Sequence, residues 1–254
     1  MVPTAQRRRR STARTRSLFL LLAGLLLAGF GAAGCTPVST LGARQKPALD
    51  GPQQHVLAGA LHGRTGAFLI VRDAASRVEV RLADLPGLLY RISTPADSGL
   101  APAVTGTPGR VRLGLRPTGA DGPDTVEILL NRAVRWDIRL PAGAGEQHLD
   151  LAAGRIRRVE LGSGTGLVSM RLPPPRGTVP IKLTGGVGEI AIALPAGTPL
   201  RFRLRGGAAL VAVPWARRAR AQAGALIAPA GWVSARDRYA VDVGSEVGTV
   251  TVWG

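Results

Sequence analysis

Residues 181–195 read IKLTGGVGEIAIALP, and their alternation decides the fold. Counting back by twos from Leu194-Pro195 gives Ile192 and Ile190, an apolar column interleaved with Ala193 and Ala191. Strand side chains point alternately to opposite faces, so such a column marks one buried face. Ahead of it, Ile181-Lys182-Leu183 has the same rhythm and stops at Thr184-Gly185-Gly186. Two short strands, joined by a glycine turn and closed by proline, form one unit.

The unit recurs in degenerate form across residues 134–214. Leu140-Pro141, Leu172-Pro173 and Val213-Pro214 close comparable columns: Trp136, Ile138, Leu140; Val168, Met170, Leu172; and Ala209, Val211, Val213. Val159-Glu160-Leu161-Gly162 and Phe202-Arg203-Leu204-Arg205-Gly206 match the other half, with Leu149-Asp150-Leu151 as an earlier copy. Leu161, Leu183 and Leu204 lie 22 and then 21 residues apart. One such unit cannot bury its apolar face alone, whereas units stacked about 4.8 Å apart merge their faces into a core. Glu160, Lys182 and Arg203 then point to solvent from successive units, with Glu160 beside Lys182.

Upstream, residues 68–72, 77–83, 88–93, 110–115 and 125–130 also read as strands bounded by turn formers. Residues 215–238 break the pattern and read as a long loop with one helical turn. Alternation returns in 239–243, and 248–253 reads as an apolar closing strand. With 34 Gly, 19 Pro and no sustained 3.6-residue period, a helical bundle is excluded, and 45% apolar residues exclude a disordered chain. The expected class is all-β, a single-domain β-solenoid stack over residues 56–254, clearest at 134–214. Residues 56–124 read equally as a separate sandwich or as the first turns of the same stack.

The succession Trp136-Asp137-Ile138-Arg139-Leu140, Leu149-Asp150-Leu151, Val159-Glu160-Leu161, Gly185-Gly186 and Val247-Gly248-Thr249-Val250-Thr251-Val252 resembles the bacterial toastrack-type β-solenoid family. Its members are called putative adhesins, domains of unknown function. The resemblance covers residues 125–254, and 68–124 weakly. It rests on repeat rhythm and implies a toastrack-like stack and an adhesin-like module of the bacterial envelope.

The amino terminus addresses the route. Arg7, Arg8, Arg9, Arg10, Arg14 and Arg16 precede an apolar run at 18–30, followed by Gly31-Ala32-Ala33-Gly34-Cys35. Basic, apolar, then small residues is the secretory signal pattern. The junction is similar to a bacterial lipobox, with Ala32 where leucine is commoner. Cys35 is the single cysteine and cannot form an internal disulfide. Residues 1–34 are therefore expected to be a lipoprotein signal peptide with its signal helix, Cys35 the lipidation site, and 35–55 a flexible tether. Palmitate-type acyl chains would hold the protein at the extracytoplasmic face of the membrane, each buried CH₂ contributing about 0.8 kcal/mol. The competing reading is an uncleaved span, since residues 17–43 carry no charge.

The chain carries 33 Lys plus Arg against 16 Asp plus Glu, +17 overall; without residues 1–34 the balance is 27 against 16. Only Lys46 and Lys182 are lysines, which also fits coding from a GC-rich genome. Arg201, Arg203 and Arg205 alternate with Phe202 and Leu204 and should share one face. With Arg217, Arg218 and Arg220 they form a candidate patch for an anionic cell-wall polymer or phospholipid headgroups, because guanidinium forks suit such oxyanions. Export and few aromatics argue against nucleic acid.

Reaction chemistry is sparse. His55, His62 and His148 have no metal-ligand spacing, no cofactor motif is present, and Gly162-Ser163-Gly164-Thr165-Gly166 reads as a turn rather than a nucleotide loop. Asp121-Gly122-Pro123-Asp124 does not follow an EF-hand, and Trp215 and Trp232 read as caps on the apolar core. The leading expectation is a noncatalytic envelope lipoprotein acting as an interaction scaffold or adhesin-like module. Two alternatives remain: a lipid carrier with an internal pocket, and a polysaccharide-active β-helix enzyme using Asp150 and Glu160.

Overall fold

The computed structural model describes residues 55–254. Signal, Cys35 and nearly all of the tether lie outside them, and the first strand begins at His55, which the sequence assigned to the tether. Alternation and frequent turn residues produce nineteen strands and, among the described residues, no helix. They are β1 (His55–Ala60), β2 (Gly66–Val71), β3 (Ala75–Ala83), β4 (Leu88–Thr94), β5 (Leu100–Thr105), β6 (Arg110–Pro117), β7 (Thr125–Asn131), β8 (Arg135–Leu140), β9 (Ala144–Asp150) and β10 (Arg155–Leu161). There follow β11 (Thr165–Arg171), β12 (Thr178–Leu183), β13 (Val187–Ala193), β14 (Leu200–Leu204), β15 (Ala208–Val213), β16 (Ala216–Ala221), β17 (Ala225–Ile227), β18 (Arg238–Val243) and β19 (Val247–Trp253).

Two sheets face each other. The first runs β1-β4-β7-β3-β9-β11-β13-β19-β15-β16, and the second β17-β14-β18-β12-β10-β8-β2-β6-β5. Together they form seven parallel coils, each giving one strand to each sheet, in the order β6–β7, β2–β3, β8–β9, β10–β11, β12–β13, β18–β19, β14–β15. Both ends are closed by antiparallel strands: β4 on β7 and β5 on β6 at one end, β16 on β15 and β17 on β14 at the other. Covering the outermost coils in this way leaves only short exposed edges.

The stack is all-β as expected, but the coils are not piled in chain order. After β12–β13 the chain builds the outermost coil β14–β15, caps it with β16 and β17, and returns to insert β18–β19 between. The last strand of the chain therefore lies inside the stack, hydrogen-bonded on both edges. Residues 215–238 correct a second expectation. They supply the edge strands β16 and β17 before a turn at 230–234, because the outer coil leaves backbone groups unpaired on both sheets. Residues 56–124 belong to the same stack, since one apolar cluster runs from Ala67 to Val252. Residues 55–254 are compact, with their own closed core, as an independently folding domain requires.

The columns fill that core. Trp136, Ile138, Leu140, Val168, Met170, Leu172, Ile190, Ile192, Val211 and Val213 are buried, while Leu194 is half-buried against them. Ala209 is exposed and Ala208 takes the inward place. The cause recurs in the first sheet, where buried positions fall at i, i+3 and i+5, as in Val187, Ile190 and Ile192. Two successive residues face outward there, and pairing skips the glycine between Thr165↔Val187 and Leu167↔Glu189. Gly145, Gly166, Gly188 and Gly248 stack at this irregularity. A Cβ on Gly188 would come 2.6 Å from the Gly166 oxygen, and one on Gly166 2.8 Å from the Gly145 oxygen. A side chain on Gly166 or Gly188 would press on the neighbouring carbonyl, which glycine avoids.

At the corner leading from the second sheet to the first, Ser163 donates through Oγ to Pro141 O (2.9 Å), Thr184 through Oγ1 to Gly162 O (3.0 Å), and Ser245 through Oγ to Thr184 O (2.9 Å). The glycine-serine run at 162–166 is thus a rung of this corner.

Candidate functional site

Phe202 and Leu204 are fully buried, so Arg201, Arg203 and Arg205 do share the outer face of the second sheet. Two of the three are engaged. The Arg201 guanidinium lies 4.2 Å from the Trp232 ring, with Arg238 at 4.3 Å from the same ring. Arg205 donates from Nε and Nη2 to Asp242 at 2.9 and 3.1 Å. The inserted β18 seats Asp242 between Lys182 and Arg203, so Glu160 and Lys182 are neighbours as expected but Lys182 and Arg203 are not. The Arg205 hydrogen bonds hold the Asp242 carboxyl below its ordinary range, against a burial effect that raises it; the charges of Arg205, Arg203 and Lys182 add to the lowering. Arg217, Arg218 and Arg220 sit on β16, an exposed edge of the first sheet. The six arginines are divided between two sheets and form no single patch. On β16 their charge blunts a free edge.

The larger charge feature emerges only when strands are assigned to sheets. Strands of the second sheet carry twelve Arg or Lys against three acids, Asp137, Glu160 and Asp242. Those of the first carry seven against five, with three of the seven on β16. The outer face of the second sheet is therefore the cationic side of the protein. Its rungs are about 4.8 Å apart, within a Debye length of about 8 Å at physiological salt, so neighbouring charges act together.

The three acids organise that face. Asp137 is 1% exposed and receives Arg139 Nε at 3.2 Å, Arg157 Nη2 at 3.4 Å and Arg158 Nε at 3.6 Å. Glu160 accepts from Arg158 Nη1 at 3.1 Å and meets Arg139 Nε at 3.4 Å. Phe68 lies flat among them, with Arg110 at 5.2 Å and Arg157 at 4.8 Å from its ring. Lateral to this cluster, Arg135 and Arg155 are direct register partners.

Other candidate residues are placed structurally. His55 is in β1, His62 is in the following turn, and His148 pairs with Glu146 at 2.9 Å. The Glu146 carboxyl is lowered by hydrogen bonds from His148 and then Arg77. Gly122 makes a parallel bridge with Ser98, within the 121–124 turn. Asp150 lies on the first sheet, paired with Arg171 at 3.3 Å, and Glu160 lies on the second. They face outward on opposite sides of a core about 10 Å thick, so they cannot flank one glycosidic bond. Among the described residues no cluster of His, Cys, Asp and Glu has metal-binding geometry. Trp232 is buried and donates to Tyr239 O at 2.9 Å. Trp215 packs on the core and, with exposed Trp253 and four prolines, lines a cleft of about 360 Å³.

The parallel coils of the middle segment agree with a known family: residues 114–193 match the N-terminal domain of toast_rack, DUF2154. The middle of the chain is toast_rack-like. The match overlaps the resemblance read from sequence over residues 125–193 and takes in coils β8–β9, β10–β11 and β12–β13. Beyond this toast_rack segment, the fold as a whole is similar to that of a putative cell adhesion protein from Clostridium sporogenes. The TM-score is 0.62 at 15% identity, covering 79% of this chain and 99% of that one. A putative adhesin from Bacteroides fragilis aligns over 80% of this chain and 99% of its own at 8% identity, but its TM-score of 0.24 carries no structural weight. No curated protein matches the sequence.

Proposed function

We propose that this protein is a noncatalytic, adhesin-like interaction module of the bacterial envelope, exported and anchored through lipidated Cys35. In this reading it turns the cationic face of its second sheet toward an anionic envelope partner. The partition of charge between the two sheets carries the reading. The order of basic, apolar and small residues before Cys35 supports export and lipidation. The neighbour from Clostridium sporogenes, called a putative cell adhesion protein, supports the adhesin-like part. The mechanism is surface presentation: a rigid stack displays charge at fixed rung spacing, and electrostatic attraction steers and holds the partner.

Retention on an immobilised polyanion tests this. Neutralising Arg112, Lys182 and Arg203 on the second sheet to Gln should weaken retention at least tenfold at about 0.1 M salt. The same change at Arg81, Arg91 and Arg218 on the first sheet should alter it less than twofold. Equal losses would mean that only net charge matters and would refute the oriented face. Membrane fractionation tests the anchor separately: Cys35→Ser should abolish acyl labelling.

A further inference from the structure

We infer that Arg135, Arg155 and Arg176 form a binding site for a single phosphate-type oxyanion. Arg135 opens β8 and Arg155 opens β10, and the two stand directly opposite in the parallel ladder. Arg176 reaches the same corner from the turn between β11 and β12. With Ile156 and Pro174 the three arginines line a pocket of about 110 Å³ that no carboxylate enters.

Energetics make this corner unlike the rest of the face. Like charges directly opposite one another on adjacent strands are destabilising. Elsewhere in the register of this sheet Arg158 stands opposite Asp137, Arg139 opposite Glu160, and Lys182 and Arg203 opposite Asp242. Among the described residues none of Arg135, Arg155 and Arg176 forms an ion pair. Arg155 does donate to Ala133 O, which fixes its direction without neutralising it. A local conflict with no internal compensation is the mark of a functional position.

The corner is also held in shape. Arg176 follows Pro173-Pro174-Pro175 and precedes Gly177, whose φ of 73° sets the turn. Tyr239 donates its hydroxyl to Pro173 O at 2.6 Å from a buried position. Asp237 approaches the same turn, but its Oδ1 accepts from Gly177 N at 2.5 Å. The arginines are thus carried by two strands and a pinned turn, which lowers the ordering cost of binding.

Size and charge select the ligand. The pocket is far below the roughly 300 Å³ at which drug-sized sites begin, so it admits a group of a few heavy atoms. Three planar donor forks around that volume suit a tetrahedral oxyanion, which accepts on several oxygens at once. The shared chemistry is a phosphate group, whether free or carried on a lipid headgroup. This deepens the proposed cationic face by naming a partner group, but does not depend on the anchor.

The test uses residues 49–254 and inorganic phosphate, read by calorimetric titration and melting temperature. Phosphate should raise the melting temperature of the unaltered domain. The double variant Arg135→Gln/Arg155→Gln should lose at least tenfold in phosphate affinity, and the charge-matched Arg217→Gln/Arg220→Gln should stay within twofold. Without phosphate, Arg155→Gln should melt no lower than the parent, because a repulsion is relieved. Capture on phosphatidylglycerol vesicles that fails only in the Arg135/Arg155 variant would assign the group to a headgroup; capture equal in both variants would assign it to a soluble phosphate. Absence of phosphate binding by the unaltered domain, or equal losses in both doubles, would overturn the site. The polyanion assay uses none of these three residues, so failure here leaves its result standing.

Discussion

Replacing Gln147 with leucine should make the protein more stable, against the usual direction of core substitutions. Gln147 is fully buried in β9, in the column Val78, Gln147, Val168, Ile190, Val250 and Val211. Every other member is aliphatic, and neither Oε1 nor Nε2 of the glutamine has a hydrogen-bond partner. A buried unsatisfied polar group costs about 1–3 kcal/mol, so the two together cost about 2–6 kcal/mol. Leucine fills a similar volume, and volume-conserving changes usually cost less than about 1.5 kcal/mol in repacking. The net gain should be about 1–4 kcal/mol. For a domain of this size each kcal/mol moves the midpoint by about 2–4 °C, so a rise of about 5–10 °C is the central expectation. Scanning calorimetry and urea unfolding of residues 49–254 would measure it, with an unchanged m-value showing that the native and denatured states are otherwise alike. The reciprocal Val168→Gln, one rung away, should lower the midpoint comparably. A fall for both Gln147→Leu and Gln147→Met would show that the amide is satisfied in solution and that the reasoning fails.

Gly188→Ala should destabilise by about 1–3 kcal/mol, since its methyl would press on the Gly166 carbonyl and overpacking costs that much. Gly186→Ala, with nothing within 4 Å of the added carbon, should leave the melting point within about a degree, as expected for a surface change. Asp242 supplies a pH signature. Its folded carboxyl is held lower than in the unfolded chain, so its stabilisation is complete above the unfolded value of about 4 and is lost as pH falls through the lower folded value. Asp242→Asn should therefore melt below the parent at pH 7, and the gap should close on acidification; a gap constant with pH would remove the Arg205 pairing as its cause.

The coil itself was legible because its requirements are local. Trp136 to Leu140 and Val168 to Leu172 must alternate to bury one face, and a glycine or proline must end each run. The order of coils was not legible, because the coils present similar, mostly apolar columns that do not by themselves say which stands beside which. What distinguishes β18 is Asp242, which meets cations on both sides, and that pairing is visible only once its neighbours are known. Ala209 was misplaced because the glycine irregularity shifts the phase of alternation by one residue. Edge strand β16, reading ARRARA, shows no apolar alternation, since it completes hydrogen bonds at the rim rather than burying a face. The arginine patch drawn from proximity in sequence came apart for the same reason. The two strands of a coil go to opposite sheets, and β14 and β16 fall on different ones, so charges close along the chain lie on opposite sides of the molecule.

The returning coil has a consequence for synthesis. In an ordinary solenoid each new repeat can dock on those already made, and order spreads from one end. Here the slice that belongs between β12–β13 and β14–β15 leaves the ribosome after both of its neighbours. The outermost coil must wait undocked, or dock wrongly and let go, until Tyr239, Val241 and Val250 arrive to bridge the gap. A nascent chain halted near residue 230 would thus lack the middle of its carboxyl-terminal half rather than its tip, and would expose two apolar faces to proteases and chaperones.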